Sequence, residues 1–258
     1  MDLHTAIILG IIEGVTEFLP ISSTGHMILA ADLMGLEHTE FLKSFEIAIQ
    51  AGAIASVVFL YWRLLLVDFE VIKRVAVAFL PTGILGLTLY RVVKSYLLGS
   101  TTVVLWSLFL GGLFLIVFEY WYREKDDATG EIRRMPYRTA AAIGLFQAIA
   151  MVPGVSRSAS TIIGGLIMGL KRKTIVEFSF LLAVPTMLAA TAYDMVMAAP
   201  EMTLSQFDFL VAGFVTSFIV ALLSIKFLLR FIQTHTFIPF GVYRIVLFYV
   251  LLLSLHRA

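Results

Sequence analysis

The chain has no cysteine. That absence excludes disulfides, thiolate metal sites and a cysteine-based phosphatase in one step. Charge is scarce as well: Asp, Glu, Lys and Arg make up 14% of the 258 residues, where a soluble domain carries roughly 25%. With 60% hydrophobic residues and a mean hydropathy of +0.95, most of the surface faces something other than water. The net charge of +1 predicts no nucleic-acid partner and no acidic one. No GxxxxGK[ST] run occurs, and no HExxH, so a nucleotide motor and a zincin are disfavoured. Met1-Asp2-Leu3-His4 lacks the basic start of a cleavable signal, and the first apolar segment is expected to stay in the mature protein.

What the chain does have is apolar runs near the ~20 residues a helix needs to cross hydrocarbon. They cover residues 45–62, 75–93, 102–122, 178–197, 209–229 and 237–255. Short alternating segments of the barrel type are missing, which leaves helices. The expected fold is an all-α polytopic membrane protein with about six transmembrane helices.

Two further apolar stretches are interrupted. Residues 5–36 are broken by Glu13, Glu17, Pro20, Ser22, Ser23, Thr24, Gly25 and His26. Residues 139–170 are broken by Gln147, Pro153, Gly154, Ser156, Arg157, Ser158, Ser160 and Thr161. Pro and Gly stop each helix near its middle, and polar backbone survives at membrane depth only where protein or a water-filled cavity covers it. Both stretches read as re-entrant hairpins of two half-helices; the alternative is a pair of kinked full spans.

The interruptions repeat. Pro20 and Pro153 are 133 apart, as are Ser23 and Ser156, and Phe45 and Phe178, whereas Met34-Gly35-Leu36 recurs as Met168-Gly169-Leu170 at 134. One membrane domain, 1–258, is therefore expected to hold repeats of about 1–125 and 135–258. A hairpin plus three spans per half inverts the second half, and inverted repeats build their site where the halves meet. Arg63, Lys73, Arg74, Arg123, Lys125, Arg133, Arg134, Arg138, Lys171, Arg172, Lys173, Lys226 and Arg230 fall on one side, against Lys43, Arg91, Lys94 and Arg257 on the other. Excess Lys and Arg marks the cytoplasm. Both termini and the first hairpin then face outward.

The chemistry concentrates in the hairpins. Glu13 and Glu17 are four apart and share one helix face. Ionisable groups in membrane segments are costly and mark functional pathways, and neighbouring carboxylates raise each other's proton affinity. A divalent cation between them relieves that repulsion; otherwise one stays protonated or acts as a general base. Ser22, Ser23, Thr24 and His26 add hydroxyls and an imidazole, although helix capping alone accounts for one or two hydroxyls. In the second hairpin, Gly154, Ser156, Arg157, Ser158, Ser160 and Thr161 resemble an anion cradle: a Gly-bearing turn opening a half-helix presents backbone N–H groups. Arg157 adds a planar fork suited to phosphate, and its structural partner could also be Glu13 or Glu17. Acid, base and nucleophile candidates on one hairpin and an anion cradle on the other suit phosphoryl transfer to or from a substrate with a lipid tail.

The segments 13–26 and 153–161, with Phe45-Glu46-Ile47-Ala48-Ile49-Gln50-Ala51-Gly52-Ala53 and Phe178-Ser179-Phe180-Leu181-Leu182-Ala183-Val184-Pro185, resemble the bacterial undecaprenyl-diphosphate phosphatases, the bacitracin-resistance protein family. The resemblance spans nearly the whole chain. Ala159-Ser160 departs from it, standing where the family has Gly-Ala. It implies removal of the terminal phosphate of undecaprenyl diphosphate, which regenerates the carrier for cell-wall synthesis in the bacterial inner membrane. It also implies a need for Mg²⁺ or Ca²⁺. Glu13 and Glu17 match its acidic pair, binding a cation or assisting as a base. Ser23 matches a proposed nucleophile, and His26 a residue argued as nucleophile, base or acid. Ser156, Arg157 and Thr161 match its phosphate-binding segment, with Ser22, Thr24 and Ser158 as further phosphate-binding candidates.

The expected partners are a polyprenyl diphosphate lipid, membrane lipids and a second copy of the chain. Gln50 is expected either at the site or in a helix–helix hydrogen bond. Arg244, in the last span, is expected to pair with a carboxylate or a helix end. His4, His38, His235 and His256 lie near ends or loops. The rival function is a lipid or small-molecule transporter or flippase, since broken helices in inverted repeats are also carrier architecture. The Ser-Ser-Thr-Gly-His run beside two glutamates is what a carrier does not need.

Overall fold

Several helices begin where the sequence supplies a side-chain cap. In the computed structural model Asp2 accepts the Thr5 N–H at 2.7 Å and opens α1, Leu3–Thr16. After α2, Ser23–Leu33, Thr39 caps α3, Glu40–Leu66. Asp68 caps α4, Phe69–Tyr96, and Ser100 caps α5, Thr101–Trp121. A connector carrying a 3-10 turn, Ile132–Arg134, leads to α6, Tyr137–Ile149, and α7, Arg157–Ile167. The chain then runs through α8, Arg172–Ala198, α9, Phe207–Phe231, and α10, Ile238–Leu255. The structure describes residues 1–37, 39–97, 100–198 and 207–255; His38, His256 and Arg257 lie outside them.

Among the described residues, α3, α4, α5, α8 and α9 are long and apolar enough to cross a membrane. The sixth expected span is α10, whose 18 residues reach about 27 Å. Large apolar side chains such as Trp121, Leu87 and Phe59 stand exposed on these helices, which suits lipid and not water. The protein is a multi-pass, all-α membrane protein.

The interrupted segments are hairpins of half-helices. α1, α2, α6 and α7 have 14, 11, 13 and 11 residues, each reaching only about 16–21 Å. Residues 17–22 and 150–156 are not helical, and α1 packs on α2 as α6 packs on α7. Kinked full spans are thereby set aside.

The two hairpins share backbone landmarks, in a frame other than the proline spacing. α1 and α6 start at Leu3 and Tyr137, and α2 and α7 at Ser23 and Arg157. Ser22 and Ser156 share a left-handed backbone, φ 71° and 76°, and so do Gly35 and Gly169, φ 61° and 81°. Each of these pairs is 134 apart, so Ser156 answers Ser22 and not Ser23. The proline match at 133 does not mark the backbone register. In the true frame Arg157 stands where the first half has Ser23, and Gln147 where it has Glu13.

Each hairpin packs into the other half of the chain: α1 lies on α9, and α6 on α4. Small residues permit it. A side chain at Gly14 would meet the Ser217 carbonyl at 2.7 Å, and one at Gly144 would strike the Ala78 carbonyl. α5 and α10 close over each other, where a Cβ at Gly112 or Gly241 would lie 2.7 Å from the other's carbonyl oxygen. Phe18 in the first hairpin loop meets Phe180 of α8 edge to face at 5.3 Å, inside the main core. At the other end of these helices, buried Glu119 accepts both Arg172 guanidinium nitrogens, at 2.5 and 2.8 Å, and the Phe237 N–H at 3.0 Å. That clamp ties α5, α8 and α10.

Candidate active site

The two hairpin loops meet, and each turns into its second half-helix through a serine with positive φ. Serine has a Cβ, so each such residue costs of order 1–3 kcal/mol and persists only where its surroundings determine it. The payoff in geometry is that α2 and α7 present their N-termini to one space. Among the described residues the amides of Ser23 and Thr24, and of Arg157 and Ser158, have no hydrogen-bond partner. Unpaired N–H groups and the positive dipole end favour an anion there. Ser156 caps its own helix through the Ala159 N–H at 3.2 Å, whereas Ser22 makes no side-chain cap.

Between the loops lies a cavity of about 170 Å³. Glu17, Ser22, Ser23 and Thr24 line it from the first hairpin; Gly154, Ser156 and Arg157 line it from the second. Gln50 of α3 and Met187 of α8 complete the wall, so Gln50 belongs to the site. The Ser23 hydroxyl donates to Glu17 Oε2 at 2.8 Å. Arg157 Nη2 reaches Glu17 Oε1 at 3.1 Å, and its Nη1 donates to the Ser179 carbonyl at 2.8 Å. One glutamate thus bridges a hydroxyl on the first hairpin and a guanidinium on the second. Glu17 is the expected ion-pair partner of Arg157.

Glu13 lies behind this wall, one helical turn below Glu17, and is 4% exposed. Its Oε1 has no partner, and the charged groups acting on it are Glu17, Glu46 and Arg157. Among the described residues no three His, Asp or Glu side chains converge to hold a metal by themselves. Mg²⁺ is commonly held by one or two carboxylates together with substrate phosphates. An orphaned buried carboxylate oxygen beside an anion cavity fits a cation of that shared kind, and not a closed protein cage.

Three of the expected residues face elsewhere. Ser158 donates to the Phe18 carbonyl at 2.8 Å, joining the second hairpin to the first. Buried Thr161 bonds the Ser179 hydroxyl at 2.6 Å and carbonyls of its own helix. His26 points away from Ser23: its Nδ1 lies 2.7 Å from the Ser22 carbonyl and its Nε2 2.8 Å from the Tyr243 hydroxyl. A carbonyl only accepts, so Nδ1 carries the proton and Nε2 accepts from Tyr243. Neither nitrogen is free for Ser23.

A larger groove of about 360 Å³ runs along α5, lined by Val103, Trp106 and Leu110. Its lining has no ionisable group and includes Val155, which stands between two cavity residues.

A family model described as bacitracin resistance protein BacA matches residues 6–250. The chain belongs to the BacA family. Its relatives include the undecaprenyl-diphosphatase of Aquifex aeolicus (strain VF5), 52% identical over 94% of each chain. That of Persephonella marina (strain DSM 14350 / EX-H1) is 50% identical over 98% of this chain and 99% of its own. That of Wolinella succinogenes is 48% identical over 96% of each. In this BacA-family chain, sequence reasoning assigned no role to Ser179, which stands inside the segment 178–185 that carries the resemblance, and missed Met187 and Tyr243, which lie in regular helix. It flagged Arg244 as an arginine in an apolar span but assigned it the wrong kind of partner.

Proposed function

We propose that the protein hydrolyses undecaprenyl diphosphate to undecaprenyl phosphate and inorganic phosphate, recycling the lipid carrier and conferring bacitracin resistance. The observation that carries this is the Ser23 hydroxyl, hydrogen-bonded to a carboxylate and set where two helix N-termini face one cavity. A nucleophile, a base and an anion cradle converge on one cavity, as acyl and phosphoryl transfer require. The relatives' names point to the same hydrolysis, and the carrier reading is not favoured.

The terminal phosphate sits against the amides of Ser23, Thr24, Ser156 and Arg157. Its oxygens compete with Glu17 for the Arg157 fork, and winning that contact frees Glu17 as a base. Ser23 Oγ bonds to phosphorus as its proton passes to Glu17; the bond from phosphorus to the bridging oxygen breaks, and undecaprenyl phosphate leaves carrying that proton from Glu17, which returns to the carboxylate. Water, deprotonated by Glu17, then cleaves the Ser23–phosphate bond and releases inorganic phosphate. A divalent cation, Mg²⁺ or Ca²⁺, held by Glu13 and Glu17 with the diphosphate oxygens, would neutralise the leaving phosphate. The first isoprene units lie in the groove beside Val155 and Trp106. The protein sits in the bacterial inner membrane with both termini and the site outside, as the Lys and Arg distribution supports.

Phosphate release from undecaprenyl diphosphate by the purified protein in detergent tests the proposal. Equimolar phosphate and lipid monophosphate are expected, with turnover suppressed by chelator and restored by Mg²⁺ or Ca²⁺. No turnover by folded protein under any metal condition overturns it; full turnover in chelator removes the cation alone.

A further inference from the structure

Among the described residues Arg244 of α10 is the largest side chain with no exposed surface. A buried guanidinium ordinarily finds a carboxylate, yet among the described residues none pairs with it. Its donors go to backbone carbonyls instead. Nη1 donates to Val155 O at 2.9 Å, and Nη2 to Gly154 O at 2.9 Å and Ser107 O at 2.7 Å. Nε reaches Leu108 O at 3.4 Å, and Nη1 lies 3.5 Å from Pro20 O. One side chain therefore touches both hairpin loops and α5. Space for it comes from Gly111, where a Cβ would collide with the guanidinium.

The direction of these bonds matters. In a trans peptide the carbonyl and the following N–H point opposite ways. The Val155 carbonyl faces Arg244, so the Ser156 N–H faces the other way. Ser156 lines the anion cavity, and its N–H has no partner among the described residues. Its left-handed backbone is the strained element that Arg244 holds in place. We propose that Arg244 is a positioning residue. It locks the Val155–Ser156 peptide so that the Ser156 amide meets the terminal phosphate, and it sets the spacing between the Ser23 and Arg157 helix N-termini. Carbonyls spread over two loops and a helix need a planar fork of five donors, which a lysine ammonium cannot supply. The inference rests on reading the cavity as the diphosphate site.

The test compares the wild type with Arg244→Lys, which keeps the charge, and Gly111→Ala, which keeps the arginine and displaces its fork. Three quantities are measured in detergent: the unfolding midpoint, kcat/KM on undecaprenyl diphosphate, and the affinity for inorganic phosphate by ³¹P titration. Both variants are expected to unfold cooperatively, to lose roughly tenfold or more in kcat/KM, and to bind phosphate weaker by a similar factor, as for one hydrogen bond to a charged group. A residue that only holds the fold would lower the midpoint and leave the phosphate affinity of the folded protein unchanged; that result overturns the proposal. Wild-type phosphate affinity and kcat/KM in Gly111→Ala overturn it too, and decide the matter alone if Arg244→Lys does not fold. A wild type that fails to hydrolyse the lipid but binds phosphate in an Arg244-dependent way refutes the activity and leaves this role standing.

Discussion

Replacing Arg157 by methionine keeps most of the side chain's volume and removes its charge. Glu17 then stays buried without the guanidinium it now pairs with, keeping the hydrogen bond from the Ser23 hydroxyl. The side chains of Arg157 and Glu17 are 13% and 7% exposed, so the interaction belongs with buried pairs and not with surface ones worth about 0–1 kcal/mol. Removing one partner of a buried pair costs about 3–5 kcal/mol, because the other charge is stranded. The same account makes a counterintuitive demand on the double variant. Glu17→Gln added to Arg157→Met removes the stranded charge, so the double is more stable than Arg157→Met alone by roughly 1–3 kcal/mol. Reversible unfolding in mixed micelles, read by circular dichroism, measures all four corners of the cycle. Additive single effects would refute the reasoning, since Glu17 and Arg157 would then not depend on each other.

The remaining predictions concern other contacts. Ser23→Ala should lower turnover by at least roughly 10³-fold, as removal of a nucleophile does. His26→Ala and Tyr243→Phe, which remove positioning hydrogen bonds, should each cost no more than about tenfold; steady-state phosphate release separates the two classes. Gly14→Val places a branched side chain against the Ser217 carbonyl, and should destabilise by about 1–3 kcal/mol or more through overpacking, measured by the same unfolding. Arg172→Ala strands the buried Glu119 carboxylate and should cost about 3–5 kcal/mol. Glu119→Gln in that background should recover part of the loss.

Much of the fold could be read from residue order, because the signals are physical and local. Uninterrupted apolar runs predicted the spans, and Pro20, Pro153 and the hydroxyl clusters after them predicted two hairpins. The register at the site was not readable. Residue identity at Pro20 and Pro153 pointed to 133, while the backbone shape at Ser22 and Ser156 sets 134, and φ is not visible in a serine. Among site residues, Glu17, Ser23 and Arg157 come together as their chemistry required. Ser158 and Thr161 carry the same hydroxyls but spend them on packing, a choice made by which way α7 turns. His26 satisfies the Ser22 carbonyl one turn back, a local bond that competes with any catalytic use. Arg244 had no visible partner because backbone carbonyls leave no mark on sequence.

The central claim is that the two hairpins build one phosphate-cleaving site. Its most direct test is phosphate release from undecaprenyl diphosphate by the purified wild type beside Ser23→Ala and Arg157→Ala, one change on each hairpin. The account predicts turnover by the wild type and at least roughly a hundredfold loss in both variants, with each still folded. Near-wild-type turnover in either variant would contradict it, because one hairpin would then be doing the chemistry without the other.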